Sequence, residues 1–372
     1  MKKTLRSLLL LILLPLLLIS WGRDGHRVIN TKASLSFPAE MSLFTFWTQT
    51  LADHASDADD RKSWDSYEGP KHYIDIDNYA QFVEKGNIPE NLDSAIKEYG
   101  REFVYDQGIL PWATITTYDT LVNCFKRKDW SKAVLVASDL GHYVADGHMP
   151  MHITSNYDGQ LTGNKGIHSR YESYMIKEYV NEINYDGDSV SKIEDVSRYV
   201  FSYIYHNHSL VDSVLEADNY AKSVNSNTYS SEYKAVLWDK TKGFTIQLFK
   251  DASHSLAELM YSAWAEAGKP DTSTTVTSID ENIISNFQLY QNYPNPFKGN
   301  TTIHFRINNT SNISLLVTDI NGAVISQLIN NKRVGRGDHT ITWNAGDNAP
   351  GIYYLILRQN KGEEVRKVVV LE

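Results

Sequence analysis

"GHYVADGHMPMH", residues 141–152, sets three histidines and an aspartate among apolar residues. Its spacing decides the fold. His142 and Asp146 stand at i, i+4, so on a helix both project from one face. The preceding "WSKAVLVASDL" keeps the three- and four-residue apolar rhythm, which predicts a helix running toward Pro150. Proline ends or kinks that helix and turns the chain toward His152. A single His/Asp pair of this kind is an ordinary capped or solvated helix pair. Here, however, His168 and Glu172 repeat the spacing on the next helical segment, and the two pairs with His152 fall within residues 142–172. That combination points to a metal site.

Further ligands lie upstream. "ASDADDRK" offers Asp59, "GPKHYIDID" offers His72 and "WGRDGH" offers His26. Neutral imidazole with carboxylate is the donor set zinc takes when positions stay open for water. His148 faces away from the 142/146 side and is read as a supporting or surface residue. His54, His206 and His208 have no partner at ligand spacing and are read as structural. Asp57, Asp75 and Asp77 are read as capping, loop or supporting groups.

Working outward, helical periodicity fills residues 21–268, with segments such as "NLDSAIKEYGREFVYDQ", "HSRYESYMIKEYVNEI" and "FTIQLFKDASHSLAELMYSAWAEAG". The expected fold class is an all-α catalytic domain followed by a small all-β sandwich. Residues 269–285, "KPDTSTTVTSIDENIIS", are polar, Thr/Ser-rich and aperiodic, hence a linker. Residues 286–372 carry short β-branched and aromatic runs, "TTIHFRIN", "ISLLVTDI", "HTITWNAG", "GIYYLILRQ" and "VRKVVVLE", separated by turn signals. They hold no convergent ionisable cluster, so no catalysis is placed there.

Residues 1–20 read as a signal peptide: Lys2, Lys3 and Arg6, an apolar run from Leu8 to Ile19, then Ser20 before Trp21. No later segment is apolar enough to span a membrane. Cys124 is the one cysteine of the 372 residues, so no intrachain disulfide can form, and an exported chain must rely on core packing, metal or both. Residues 1–20 carry +3 and residues 286–372 another +3 against −9 overall, which leaves −15 on 21–285. Such an acidic domain has no general attraction for phosphate backbones, and a polyanion would have to be drawn in locally, for instance by bound cations.

"WGRDGH", "SDADD", "KHYIDID", "GHYVADGHMPMH" and "GIHSRYE" resemble, in order, the ligand segments of the zinc-dependent phospholipase C / S1–P1 nuclease superfamily. The resemblance covers essentially all of residues 21–268. It implies an all-helical domain with three Zn2+ ions at the bottom of a cleft. Asp59, His72, His142 and Asp146 would hold the first; His152, His168 and Glu172 the second. The third would take the amino nitrogen and carbonyl oxygen of Trp21, with His26 and a bridging Asp146, which requires Trp21 to be residue one after processing. Clustered zincs clamp a phosphodiester's oxygens and lower the pKa of water, and Asp59 would orient or deprotonate that water. The implied reaction is P–O cleavage of a diester, on a phospholipid or on single-stranded DNA or RNA. Glu172, and the 15 residues between His152 and His168, resemble the phospholipase branch; the short Trp21-to-His26 spacing and His148 resemble the nuclease branch. The phospholipase branch is preferred, with the nuclease, or a surface binding protein whose metal is purely structural, as alternatives.

"QLYQNYPNPFKGNTTIHF" and "APGIYYLILRQNKGEEVRKVVVLE" resemble the type IX secretion C-terminal sorting domain. This implies handling by the type IX secretion machinery, after passage through the periplasm, and a secreted or outer-surface location.

Overall fold

The stretch that opened the sequence is helical from Trp130 to Gly147. Asp129 starts it by accepting a hydrogen bond from the amide of Lys132, at 3.3 Å, which satisfies one of the N–H groups a helix start leaves unpaired. From Leu140 to Gly147 every residue is buried, so this helix is surrounded on all sides. It feeds two cores. Leu140, Val144 and Ala145 pack with Phe44, Trp47, Phe125 and Trp264, while Tyr143 packs with Ile74, Tyr79, Trp112 and Phe201. His142 and Asp146 therefore sit at the seam between two apolar clusters.

The structure, a computed structural model, describes residues 22–271, 287–307, 310–320, 322–346, 348–359 and 362–371. The signal segment, Trp21 and most of the expected linker lie outside the described residues. The main helices of the first part are Gly22–Ala33, Thr48–Asp53, Leu110–Lys126, Trp130–Gly147, Val196–His208, Val211–Val224 and Ser231–Glu266. The expected 91–107 helix is two, Leu92–Tyr99 and Arg101–Asp106, broken where Gly100 takes φ +85°. Among the described residues no helix is long and apolar enough to cross a membrane. The first linker residues are tied down: Lys269 Nζ reaches both carboxylate oxygens of Glu40 at 2.8 Å, and Trp264 Nε1 donates to Pro270 O.

One glycine fixes the approach of two helices that carry candidate ligands. A Cβ at Gly141 would stand 2.1 Å from Asn30 Oδ1, so only glycine lets the 22–33 helix lie this close to the 130–147 helix. Asn30 Nδ2 donates to Leu51 O at 3.0 Å and Ser138 O at 3.1 Å, pinning a third helix to the pair. His26, four residues before Asn30, is thereby delivered against His142, ring on ring at 3.9 Å.

The C-terminal part is two antiparallel sheets facing each other across one core. With β1 Phe287–Leu289, β2 Asn300–Ile307, β3 Ser311–Thr318, β4 Val324–Val334, β5 Gly337–Asn344, β6 Gly351–Gln359 and β7 Gly362–Val370, the orders are β1-β2-β5 and β4-β3-β6-β7. β2 alternates buried and half-buried residues along its length. Phe297, Phe305, Trp343, Leu355 and Val368 fill the space between the sheets. The sequence reading missed β1 and β4. β4, "VISQLINNKRV", is an edge strand with no fully buried residue and shifted register against β3, so it lacks the alternation by which strands are recognised. The two parts touch where Arg306 of β2 reaches Asp57 and Asp60, at 3.0 and 3.1 Å, and where Trp64 packs on Tyr290 and His304.

Candidate metal centre

Eight of the nine residues singled out from the sequence are described, and their side chains converge. Three groups have ligand atoms within 4.8 Å of one another: Asp59, His72 and His142; His26, His142 and Asp146; His152, His168 and Glu172. Asp146 is the hub. Its Oδ2 lies 3.0 Å from His72 Nδ1 and 3.3 Å from His142 Nε2, and its Oδ1 lies 3.3 Å from His152 and 3.6 Å from His26. Glu172 Oε2 is 3.3 Å from Nε2 of both His152 and His168.

The imidazoles are aimed by their far nitrogens. His142 Nδ1 faces Ala55 O at 2.8 Å, His152 Nδ1 faces His72 O at 2.8 Å, and His168 Nδ1 faces Tyr157 O at 3.1 Å. A carbonyl can only accept, so each Nδ1 carries a proton and each Nε2 is turned into the cluster. Pro150–His152 forms a tight helical turn after the long helix ends, and that turn swings His152 back to the site. His168 sits on Ile167–Ser169, whereas Glu172 lies in a wider π-helical stretch, Arg170–Met175. Arg170 anchors that stretch through Asp218, at 2.8 Å, with Tyr233 hydroxyl also donating to Asp218. Because Asp218 is fully buried, Asp218→Ala leaves the Arg170 charge uncompensated. The expected cost is about 3–5 kcal/mol in urea unfolding.

The charge pattern asks for a cation. Asp146 Oδ1 and Glu172 Oε1 are buried without a hydrogen bond, and a buried anionic oxygen left that way is expensive. Burial opposes ionisation of Asp59 and Asp146, yet the neighbouring histidines hold both carboxyls well below the usual range. Burial works against His142 too, but the charges of Asp146 and Asp59 push it up to about 10. His26, buried and facing His142, is pushed down to about 3. Carboxylates that force a proton onto a buried imidazole are the natural counterpart of a divalent ion, and the imidazole-plus-carboxylate donors fit zinc.

A cleft of about 340 Å³ opens beside the cluster, lined by His72, His152 and His168 together with Lys62, Tyr73, Asp75 and Tyr157. Lys62 of the cleft wall has its Nζ 2.6 Å from Asp59 Oδ1. Asp75, read from sequence as a supporting group, is in the cleft wall, and burial first, then Asp77, pushes its carboxyl up to about 7. Asp77 accepts from Thr154 Oγ1 at 2.6 Å and Ser155 N at 2.8 Å and so pins the chain after His152.

His148 is buried rather than on the surface: Nδ1 faces Val144 O at 2.7 Å and the ring stacks on Tyr203. It belongs to none of the three groups. Tyr171 is a core residue bonded to Thr245, and Trp64 packs on the β-sandwich, so neither lines the cleft. Sequence reasoning missed Glu68 and Tyr143. The signal was available for the first, since Glu68 and His72 repeat the i, i+4 spacing with the order reversed.

Residues 291–371 match the family described as the secretion system C-terminal sorting domain. The sandwich is therefore an export signal of the type IX route, and the chain is destined for the cell surface or the outside. Among solved structures, the chain is similar to the alpha toxin from Clostridium absonum, with TM-score 0.44 and 12% identity over 94% of this chain and 97% of that one. It is also similar to Clostridium perfringens alpha-toxin from an avian strain, with TM-score 0.41 and 11% identity over 93% of each chain. No curated protein matches the chain significantly.

Proposed function

We propose that the helical part is a secreted tri-zinc phosphodiesterase that hydrolyses phospholipids in the manner of a phospholipase C. The observation that carries this reading is the convergence of three His/carboxylate groups around Asp146, beside a cleft that His72, His152 and His168 line. Asp59, His72, His142 and Asp146 would hold one ion, and His152, His168 and Glu172 a second. His26 and Asp146 would hold a third, with Trp21. When bound, zinc supplies Lewis-acid charge to phosphoryl oxygens and acidifies water. The chain's own part is to orient and to move a proton. Asp59, paired with Lys62, would take a proton from the attacking water, and the Lys62 ammonium in the cleft wall would add positive charge where a phosphate enters. The cleft walls suit a lipid surface: Pro70, Tyr73, Met151 and Tyr157 line it. The loops that supply them also expose Tyr67 by 64% and Leu161 by 71%.

One observation favours a second reading, a nuclease of single-stranded DNA or RNA. Tyr73 and Tyr157 flank a carboxyl in Asp75 that keeps its proton close to neutral pH, and ring faces beside a hydrogen-bonding group also suit a nucleobase. A side-by-side assay decides, using protein that begins at Trp21, with phosphatidylcholine, other phospholipids and single-stranded DNA and RNA as substrates. Release of phosphorylated headgroup is the expected result, and cleavage of nucleic acid alone would overturn it.

The pH behaviour of Asp75 is separable from substrate. Its folded pKa of about 7 lies above the ordinary value, so the folded state holds the extra proton, and stability falls as pH rises from about 4 through 7. Asp75→Asn should remove that slope. Urea midpoints of parent and variant at pH 5 and pH 8 measure it, and equal slopes in the two proteins would refute it.

A further inference from the structure

His142, His152 and His168 are aimed by backbone carbonyls, whereas His72 meets a side chain. Its Nδ1 faces inward, 3.0 Å from Asp146 Oδ2 and 3.6 Å from Asp59 Oδ1, so its Nε2 points outward. There it meets a side chain, Glu68 Oε1, at 3.5 Å. Glu68 is only 1% exposed and is itself held by three donors: Lys71 Nζ at 2.8 Å, Arg61 Nη2 at 3.3 Å and the hydroxyl of Tyr143. Arg61 is secured in turn by Asp139 at 3.0 Å. Glu68 also lines a cavity of about 330 Å³ with Arg61, Asp65, Lys71, Asp139 and Tyr143.

We infer that Glu68 is the positioning residue of His72: its carboxylate accepts a hydrogen bond from Nε2–H, fixes the tautomer and presents Nδ1 to the metal. The inference rests on the metal reading of the proposed function. A carboxylate behind an imidazole both fixes the ring and makes its other nitrogen a better donor, and losing such a partner typically weakens metal binding about 10–100-fold. Tyr143 and Arg61 act one step further out by keeping Glu68 in place. The consequence is local. The group of Asp59, His72 and His142 depends on Glu68, whereas Nε2 of His152 and His168 is set by carbonyl oxygens that no side-chain substitution removes.

The test uses the zinc-loaded full chain and Glu68→Gln, titrated with a chromophoric chelator. In the variant one ion per chain should be lost about 10–100-fold more readily, with the others retained. Cobalt(II) in place of zinc should show an altered visible d–d spectrum, a readout that a merely structural role would not move. Tyr143→Phe, which keeps every charge, should shift the same ion in the same direction by a few-fold, and it carries the test if Glu68→Gln does not fold. A parent that loads metal beside variants with parental titration and parental cobalt spectra would overturn this inference alone. A parent that takes up no metal would overturn the metal reading and this inference with it.

Discussion

Asp146→Asn should abolish diester hydrolysis while leaving the protein folded. The side chain touches four imidazoles from three separate chain segments, with distances from 3.0 to 3.6 Å. Asparagine keeps its volume but removes the charge that two of the three proposed ions share. If the lost Lewis-acid stabilisation is roughly 4 kcal/mol, the rate falls about a thousandfold. Metal content should fall from near three per chain toward one, because only the His152, His168 and Glu172 group stays intact. His206→Gln, exposed and outside the cluster, serves as the control that should keep parental activity and metal content. An Asp146→Asn protein with parental activity would refute the proposed site.

The second large effect is thermal. Among the described residues the only cysteine is Cys124, buried and free, so no covalent crosslink backs the fold. Instead Asp146, Glu172 and Asp59 crowd negative charge against imidazoles at the seam of two apolar cores. Each ion present at about 100 times its dissociation constant adds about 2.7 kcal/mol to the folded state. For a part of this size, three ions should raise Tm by roughly 15–30 °C. Calorimetry before and after exhaustive chelation should show that drop, and readdition of zinc should restore it. A Tm unmoved by chelation would mean the core alone holds the fold.

Much of this centre was legible in the sequence, for a specific reason. His142 with Asp146 and His168 with Glu172 announce themselves because helical spacing puts each pair on one face. His26 and Asp59 have no ligand partner at helical spacing, and with His72 they entered the set as residue types, their assignment to particular ions coming from resemblance to a known ligand order. Their convergence depends on long-range packing such as the Gly141–Asn30 contact, which no window of sequence displays. Glu68 carried a legible spacing but lay in "WDSYEGPKH", where glycine and proline point to a loop and draw attention away from a helical pair. In the β part, strands with a buried face were readable and the exposed edge strand β4 was not.

The π-helical stretch Arg170–Met175 has a consequence for how this site tolerates change in length. Glu172 must face the cluster, while Met175 and Ile176, a few residues on, must face the apolar core, and both are fully or almost fully buried. An α-helix advances about 100° per residue, and its hydrogen bonds span four residues where the π turn spans five. The extra residue thus works as a phase shifter between the register that faces the His/carboxylate cluster and the register that packs the core. Deleting Ser173 would make the helix more regular and the protein worse, since either the carboxylate or the core anchors would rotate out of place. Replacing Ser173 with alanine, which changes chemistry but not length, should be far milder.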